Sequence, residues 1–187
     1  MTQETASPEA TQVYSAERLK KQILSEPFFG DAVQFVLAKI GSFENKTILD
    51  NGCGAGEISV LFAHEGGNVV GIDKSPIAIG EAKMLARSYR TEHRCRFINC
   101  NSESMPIADA SIDIVFSRST MQYMDAGKVL NEYMRILRPS GILAIIENLR
   151  YNPFINGYRL YRSLSAKTSG EVEYVKFNPK ISLRKAS

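Results

Sequence analysis

A chain of 187 residues, 44% hydrophobic and 23% charged, has ordinary globular composition and the length for one domain with a sizeable core, which excludes disorder throughout. Its formal charge of +3 is too small to imply a nucleic-acid partner, and its three cysteines, Cys53, Cys95 and Cys100, form neither a disulfide framework nor a metal-ligand spacing. No apolar run approaches the roughly 20 residues that cross a bilayer, and Met1 to Thr5 lack the basic-then-apolar layout of a signal peptide, so a soluble, cytoplasmic protein is expected.

Residues 1–12 are polar and small and are expected to be mobile. Two helices are predicted in 13–45, the first over Ser15 to Ser25 with Leu19, Ile23 and Leu24 at helical spacing. Pro27 interrupts, and Asp31 to Ile40 resumes with Val33, Val36, Leu37 and Ile40 on one face. Tyr14, Phe28 and Phe29 flank these helices as candidate pocket-lining aromatics, although packing is the commoner use of such rings.

The core spans 46–147. Lys46 to Asn51 read as a strand, Gly52-Cys53-Gly54-Ala55-Gly56 as a bare-backbone turn, and Glu57 onward as a helix stopped by Gly66-Gly67. A second strand, Asn68 to Asp73, leads to Ser75-Pro76, an N-cap followed by proline at the first helical position, and a helix reaching about Tyr89. Arg96 to Cys100 form a third strand, Asn101 to Pro106 a loop, and Ile112 to Ser117 a fourth strand. Asp125 caps a helix through Leu137, the turn Leu137 to Gly141 follows, and Ile142 to Glu147 make the fifth strand. Strand and helix alternate with short connections, so the fold class is α/β, a doubly wound, Rossmann-like, mostly parallel sheet with helices on both faces. In 148–187 a helix is expected from Asn152-Pro153 to Leu164, then strand-like runs at Val172 to Phe177 and Lys180 to Leu183 with a hairpin around Asn178-Pro179. This last stretch has eight basic side chains against Glu171 and Glu173, a balance of +6 that leaves −3 for the rest. A solvated tail is the plain reading and contact with an anionic partner the sharper one.

A strand, a glycine loop and a helix in that order leave uncovered N–H groups at a helix N-terminus, a seat for a nucleotide-like ligand. The dinucleotide fingerprint requires glycine at the first, third and sixth places, but the sixth place counted from Gly52 is Glu57. Asp50, just before the loop, suits a ligand with an ammonium group and no phosphate. Asp50-x-Gly52-x-Gly54-x-Gly56 resembles motif I of the class I S-adenosylmethionine-dependent methyltransferases, and the resemblance runs from about Thr47 to Glu147.

The resemblance implies S-adenosylmethionine as cofactor, with Asp50, Gly52, Cys53, Gly54 and Gly56 around its methionine end. Asp73, about 20 residues after the loop, takes the position of the ribose-binding carboxylate, with Lys74 beside it. Cys100, Asn101 and Ser102 stand where the family carries Gly-Asp-Ala, so Asn101 and the Ser102 backbone are assigned to adenine. Ser117 to Tyr123 follow the fourth strand at the carboxyl edge of the sheet, which makes Ser117 a further cofactor candidate. Where many small-molecule relatives have histidines, this chain has Gln122 and Tyr123, and neither His64 nor His93 is a persuasive base. Proton removal would fall to Tyr123 or Glu147, or catalysis would rest on positioning alone. The phrase from Glu147 to Arg159 resembles the ubiquinone and menaquinone methyltransferase type, implying a small-molecule or lipid-like acceptor. Ser117-Arg118-Ser119-Thr120 stands where an Asn-Pro-Pro-Tyr signature of nucleic-acid amino methylation would fall, so a nucleic-acid substrate is not expected and neither is a metal. With only 40 residues after Glu147, the C-terminal region is short for the family, which keeps a methyltransferase-like binding module as the alternative.

Overall fold

The computed structural model describes residues 15–27 and 29–147. Two helices, α1 (Ala16–Leu24) and α2 (Gly30–Ile40), precede β1 (Thr47–Asn51), and the chain then alternates through α3 (Glu57–His64), β2 (Asn68–Asp73), α4 (Pro76–Ser88) and β3 (Cys95–Asn99). It crosses without a helix to β4 (Ile112–Arg118), makes one 3₁₀ turn at Met121–Tyr123, and closes with α5 (Ala126–Ile136) and β5 (Leu137–Ile146). The sheet order is β3-β2-β1-β4-β5 and every pairing is parallel.

Local chemistry sets the helix starts. Ser15 Oγ accepts from the Arg18 N–H, Ser75 Oγ from the Ala78 N–H with Pro76 behind it, and Asp125 from the N–H groups of Gly127 and Lys128. The central strands are buried on both sides, so their side chains feed two cores in alternation. Ile48, Val69, Ile114 and Phe116 pack against α1 to α4, where Phe62 stacks on Phe43 and meets Phe116 edge-on. Leu49, Ile72, Ile112 and Val115 face the opposite way, against Val129, Tyr133 and Ile136 of α5. Helices therefore lie on both faces, four on one and α5 on the other.

The turn expected at Leu137 to Gly141 is absorbed into β5. Leu137 pairs with Ile112 and Ile142 with Ile114, so Arg138 to Gly141 bulge opposite Asp113, with Ser140 in the left-handed region at φ 66°. Asp113 anchors this irregularity by accepting from the Thr47 N–H at 2.8 Å and from Arg138 at 2.7 Å. Burial alone would raise its pKa, but the Thr47 and Arg138 bonds outweigh that and hold it below the usual carboxylate range. The third strand starts at Cys95, one residue earlier than expected, because Val69 pairs with it.

Among the described residues no helix is long and apolar enough to cross a membrane. The helix and strands expected after Glu147, and the aromatics Tyr14 and Phe28, lie outside the described residues.

Candidate active site

The winding of the sheet reverses at β1, whose neighbours β2 and β4 run on to opposite edges, and a crevice opens at the carboxyl ends of these strands. The glycine loop forms its floor. The Gly52 and Cys53 N–H groups both donate to the Ile72 carbonyl, at 2.8 and 2.9 Å, which locks the loop to β2. Gly52 has φ 69°, and a Cβ there would stand 2.2 Å from Thr120 Cγ2, so the position demands glycine twice over. Gly54, at φ 52°, has nothing within 4 Å of where a Cβ would be, which leaves open space over its backbone. No side chain caps the N-terminus of α3, so its first-turn N–H groups are free of an intrachain side-chain acceptor.

Two cavities lie along this floor. One, of about 280 Å³, is lined by Asp50, Cys53 to Ile58 and Phe116, with Glu26 and Phe29 from the α1–α2 connection. The other, of about 250 Å³, is lined by Asp73, Lys74, Asn101, Ser102, Thr120, Tyr123 and Met124. Gly52, Arg118 and Ser119 belong to both, so the two are lobes of one groove.

In the first lobe Asp50 is 3% exposed and accepts from Ser59 Oγ at 2.6 Å. Burial pushes its carboxyl up to about 6, against the lowering effects of Ser59 and Arg118. Burial, reinforced by the charges of Asp50 and Asp73, drives the Cys53 thiol far above its usual range, so it is no thiolate nucleophile. Arg118 reaches over this lobe, paired with Glu26 at 2.9 Å and lying 5.2 Å from the centre of the Phe29 ring.

In the second lobe Asp73 stitches loop to helix: one oxygen accepts from the Gly54 N–H at 3.0 Å and the other from the Ser75 N–H at 2.9 Å. Each oxygen retains a further lone pair for a ligand hydroxyl. Asn101 is exposed and its Oδ1 accepts from the Glu103 N–H, while Ser102 is buried and donates to Asn51 Oδ1 at 2.6 Å. Asn51 in turn donates to the Tyr133 hydroxyl at 2.6 Å, so a buried polar chain ties the loop after β3 to β1 and α5. Lys74 Nζ sits 5.8 Å from the Tyr123 ring centre, and Tyr123 is 69% exposed at the outer lip.

Two candidates stand behind the groove. Ser117 is fully buried, its hydroxyl 2.6 Å from that of Thr120. Glu147 accepts from the N–H groups of Thr120 and Met121, at 2.8 and 2.9 Å, and so holds the start of the 3₁₀ turn. Sequence reasoning did not single out Arg118, Glu26, Ser59, Asn51 or Ser119. A charge ending the apolar run Ile112 to Ser117 was a signal for Arg118, whereas Ser119 had only its place in the segment Ser117 to Tyr123 at the carboxyl edge of the sheet.

An all-parallel 3-2-1-4-5 sheet whose first strand ends in a glycine loop and whose second ends in a carboxylate defines the class of Rossmann-like nucleotide-cofactor proteins. Within that class the chain matches the family described as a methyltransferase domain over residues 42–174, and it belongs to that family. Malonyl-[acyl-carrier protein] O-methyltransferase of Pectobacterium atrosepticum is 33% identical over 110 residues, 58% of this chain and 41% of that protein. 24-methylenesterol C-methyltransferase 2 of Oryza sativa subsp. japonica is 34% identical over 102 residues, 54% of this chain and 28% of that protein. The solved structure of a SAM dependent methyltransferase from Aquifex aeolicus superposes with a TM-score of 0.58 at 25% identity, covering 72% of this chain and 73% of that one. The chain thus spans about two fifths or less of the length of these two curated relatives.

S-adenosylmethionine is the cofactor that this methyltransferase family and the Aquifex aeolicus structure indicate, and the residues present fit it. The groove has two lobes that meet at Gly52, Arg118 and Ser119, as a molecule of two polar halves requires. A buried carboxylate lies in the lobe beside the α3 N-terminus, an arrangement that suits an amino-acid zwitterion. Asp73 and the loop after β3 line the other lobe, where a carboxylate with free lone pairs suits hydroxyl groups.

Proposed function

We propose that this protein is an S-adenosylmethionine-dependent methyltransferase, cytoplasmic, acting on a small-molecule or lipid-like acceptor. The observation that carries this reading is the bilobed groove over Gly52 and Gly54, with the buried Asp50 in one lobe and Asp73 in the other. Asp50 receives the cofactor ammonium, and the uncapped N–H groups at the start of α3 receive its carboxylate, with Gly52, Cys53, Gly54 and Gly56 giving the backbone its close approach. Asp73 accepts from the ribose hydroxyls while it holds the loop, with Lys74 at the rim. Asn101 and the Ser102 backbone line the adenine side, and Ser117 supports the floor from behind through Thr120.

The bound cofactor supplies an electrophilic methyl group whose departure dissipates the sulfonium charge. The protein's share is orientation and exclusion of water, which suffices for in-line transfer to a competent nucleophile. Glu147 belongs to that positioning work, because it fixes the turn that carries Thr120 to Tyr123, and the Tyr123 hydroxyl at the lip is available to hydrogen-bond and orient the acceptor, whose proton passes to solvent. The acceptor is small enough to approach the junction of the two lobes past Phe29 and Arg118.

The test is transfer of a labelled methyl group from S-adenosylmethionine to fractions of a small-molecule and lipid extract, with a malonyl-carrier protein and a sterol, classes named for the relatives, in the same panel. Label in one fraction, dependent on folded protein and absent with Asp50→Ala, is the expected result. Cofactor binding without labelling of any fraction would instead support the binding-module reading.

A further inference from the structure

We propose that the hydroxyl of Ser119 contacts the cationic reacting centre of the cofactor, a role that rests on the cofactor reading above. Ser119 holds a non-glycine backbone in the left-handed region at φ 56°, and its Oγ is the buried side-chain polar atom with no hydrogen-bond partner among the described residues. Burying a hydroxyl without a partner is costly, and so is a left-handed serine, so the two together mark a position shaped for something other than stability. The backbone there is well fixed, because the Ser119 N–H donates to the Ile146 carbonyl at 2.8 Å and Thr120 beside it is held by Glu147.

Its place in the groove identifies the ligand atom. S-adenosylmethionine joins its amino-acid half to its nucleoside half at the sulfonium, so residues that line both lobes flank that centre. Three residues do so: Gly52, Arg118 and Ser119. Gly52 has no side chain, and the Arg118 guanidinium is directed to Glu26 and Phe29. Ser119 is left as the neutral oxygen whose lone pairs serve the positive charge and the polarised methyl hydrogens.

Sinefungin, which carries an ammonium-bearing carbon in place of the methylsulfonium, reports on this contact without any acceptor. S-adenosylhomocysteine, which has a neutral thioether there, serves as the control. Titration of the intact protein should give sinefungin binding weakened about tenfold or more by Ser119→Ala, as loss of a hydrogen bond to a charged group requires, with S-adenosylhomocysteine affinity within about twofold of wild type. Ser119→Gly removes the same hydroxyl while relaxing the backbone, and it should reproduce the split even if the alanine variant folds poorly. Equal changes for both ligands, or no change for either, would overturn the assignment to Ser119 and leave the cofactor reading standing. Failure of the wild type to bind either ligand would overturn the cofactor reading and the assignment with it.

Discussion

Asp50 carries the sharpest conflict between stability and function in the molecule. Its native pKa of about 6 lies above the ordinary 3.8, so the folded chain takes up a proton more readily than the unfolded one. Its contribution to stability is full below about pH 4 and is withdrawn as the pH rises through about 6, whereas an ammonium ligand favours the ionised form. Asp50→Asn should therefore stabilise the ligand-free protein at pH 7 by about 1–2 kcal/mol. It should also weaken S-adenosylhomocysteine at least tenfold and abolish the rise in affinity between pH 5 and 7. Denaturant melts and titrations of the two proteins across that range check both halves, and a destabilised variant would contradict the burial argument. Two glycines give a second contrast. Gly52→Ala drives a Cβ into Thr120 and should cost about 2–4 kcal/mol of stability. Gly54→Ala meets no atom and should cost only about 1 kcal/mol from its positive φ, yet should lose most cofactor affinity because its methyl occupies the cleft. At this scale the sequence was readable where the backbone forces a residue type, as at Gly52 and Gly56, and where a strand ends, as at Asp73. It placed Ser119 only within the segment Ser117 to Tyr123, since nothing in a serine's neighbours along the chain announces a left-handed backbone or an unpartnered hydroxyl.

Among the elements, the strands and their caps were readable because their periodicities are local. Asn68–Asp73 falls where alternation and the Gly66-Gly67 stop put it, and Ser75-Pro76 and Asp125 open α4 and α5 as capping chemistry requires. The bulge in β5 was not readable, because it depends on Asp113, 25 residues from its partner Arg138, holding two strands at unequal lengths. Glu147 shows the same difficulty: its position at the end of the fifth strand suggested a candidate for proton removal, and only the fold brings it to the Thr120 and Met121 amides. Glu147→Ala leaves those two N–H groups unpaired, so it should destabilise the protein by about 1–3 kcal/mol and speed amide exchange at Thr120 to Tyr123 ahead of the rest of the sheet. Glu147→Gln keeps an acceptor oxygen and should restore most of both. A glutamine variant as damaged as the alanine one would show that the carboxylate charge, and not an acceptor oxygen alone, holds the turn. The Arg118–Glu26 pair, with side chains 25% and 34% exposed, is a weaker tie, and Glu26→Ala should cost under about 1 kcal/mol in the same melts.

For the molecule as a whole, one physical arrangement links sequence to activity: a parallel sheet that reverses its winding at β1, opening a crevice floored by bare main chain. The parallel sheet with helices on both faces followed from strand–helix alternation and the resemblance to a known class, whereas the strand order and the uneven covering of the two faces, α1 to α4 against α5 alone, came only from the three-dimensional packing. The N-terminal helices illustrate the division. Their apolar stripes were evident in Leu19, Ile23, Val33 and Val36, but the link between them supplies Glu26 and Phe29 to the groove through contacts with a residue 92 positions away in the case of Glu26. Calorimetric titration of the folded protein with S-adenosylhomocysteine tests the central claim most directly, because it needs no knowledge of the acceptor. One site per chain at micromolar affinity, strengthening as the pH rises through about 6 with the ionisation of Asp50, is the predicted result. Absence of heat from protein shown to be folded would contradict the account at its root.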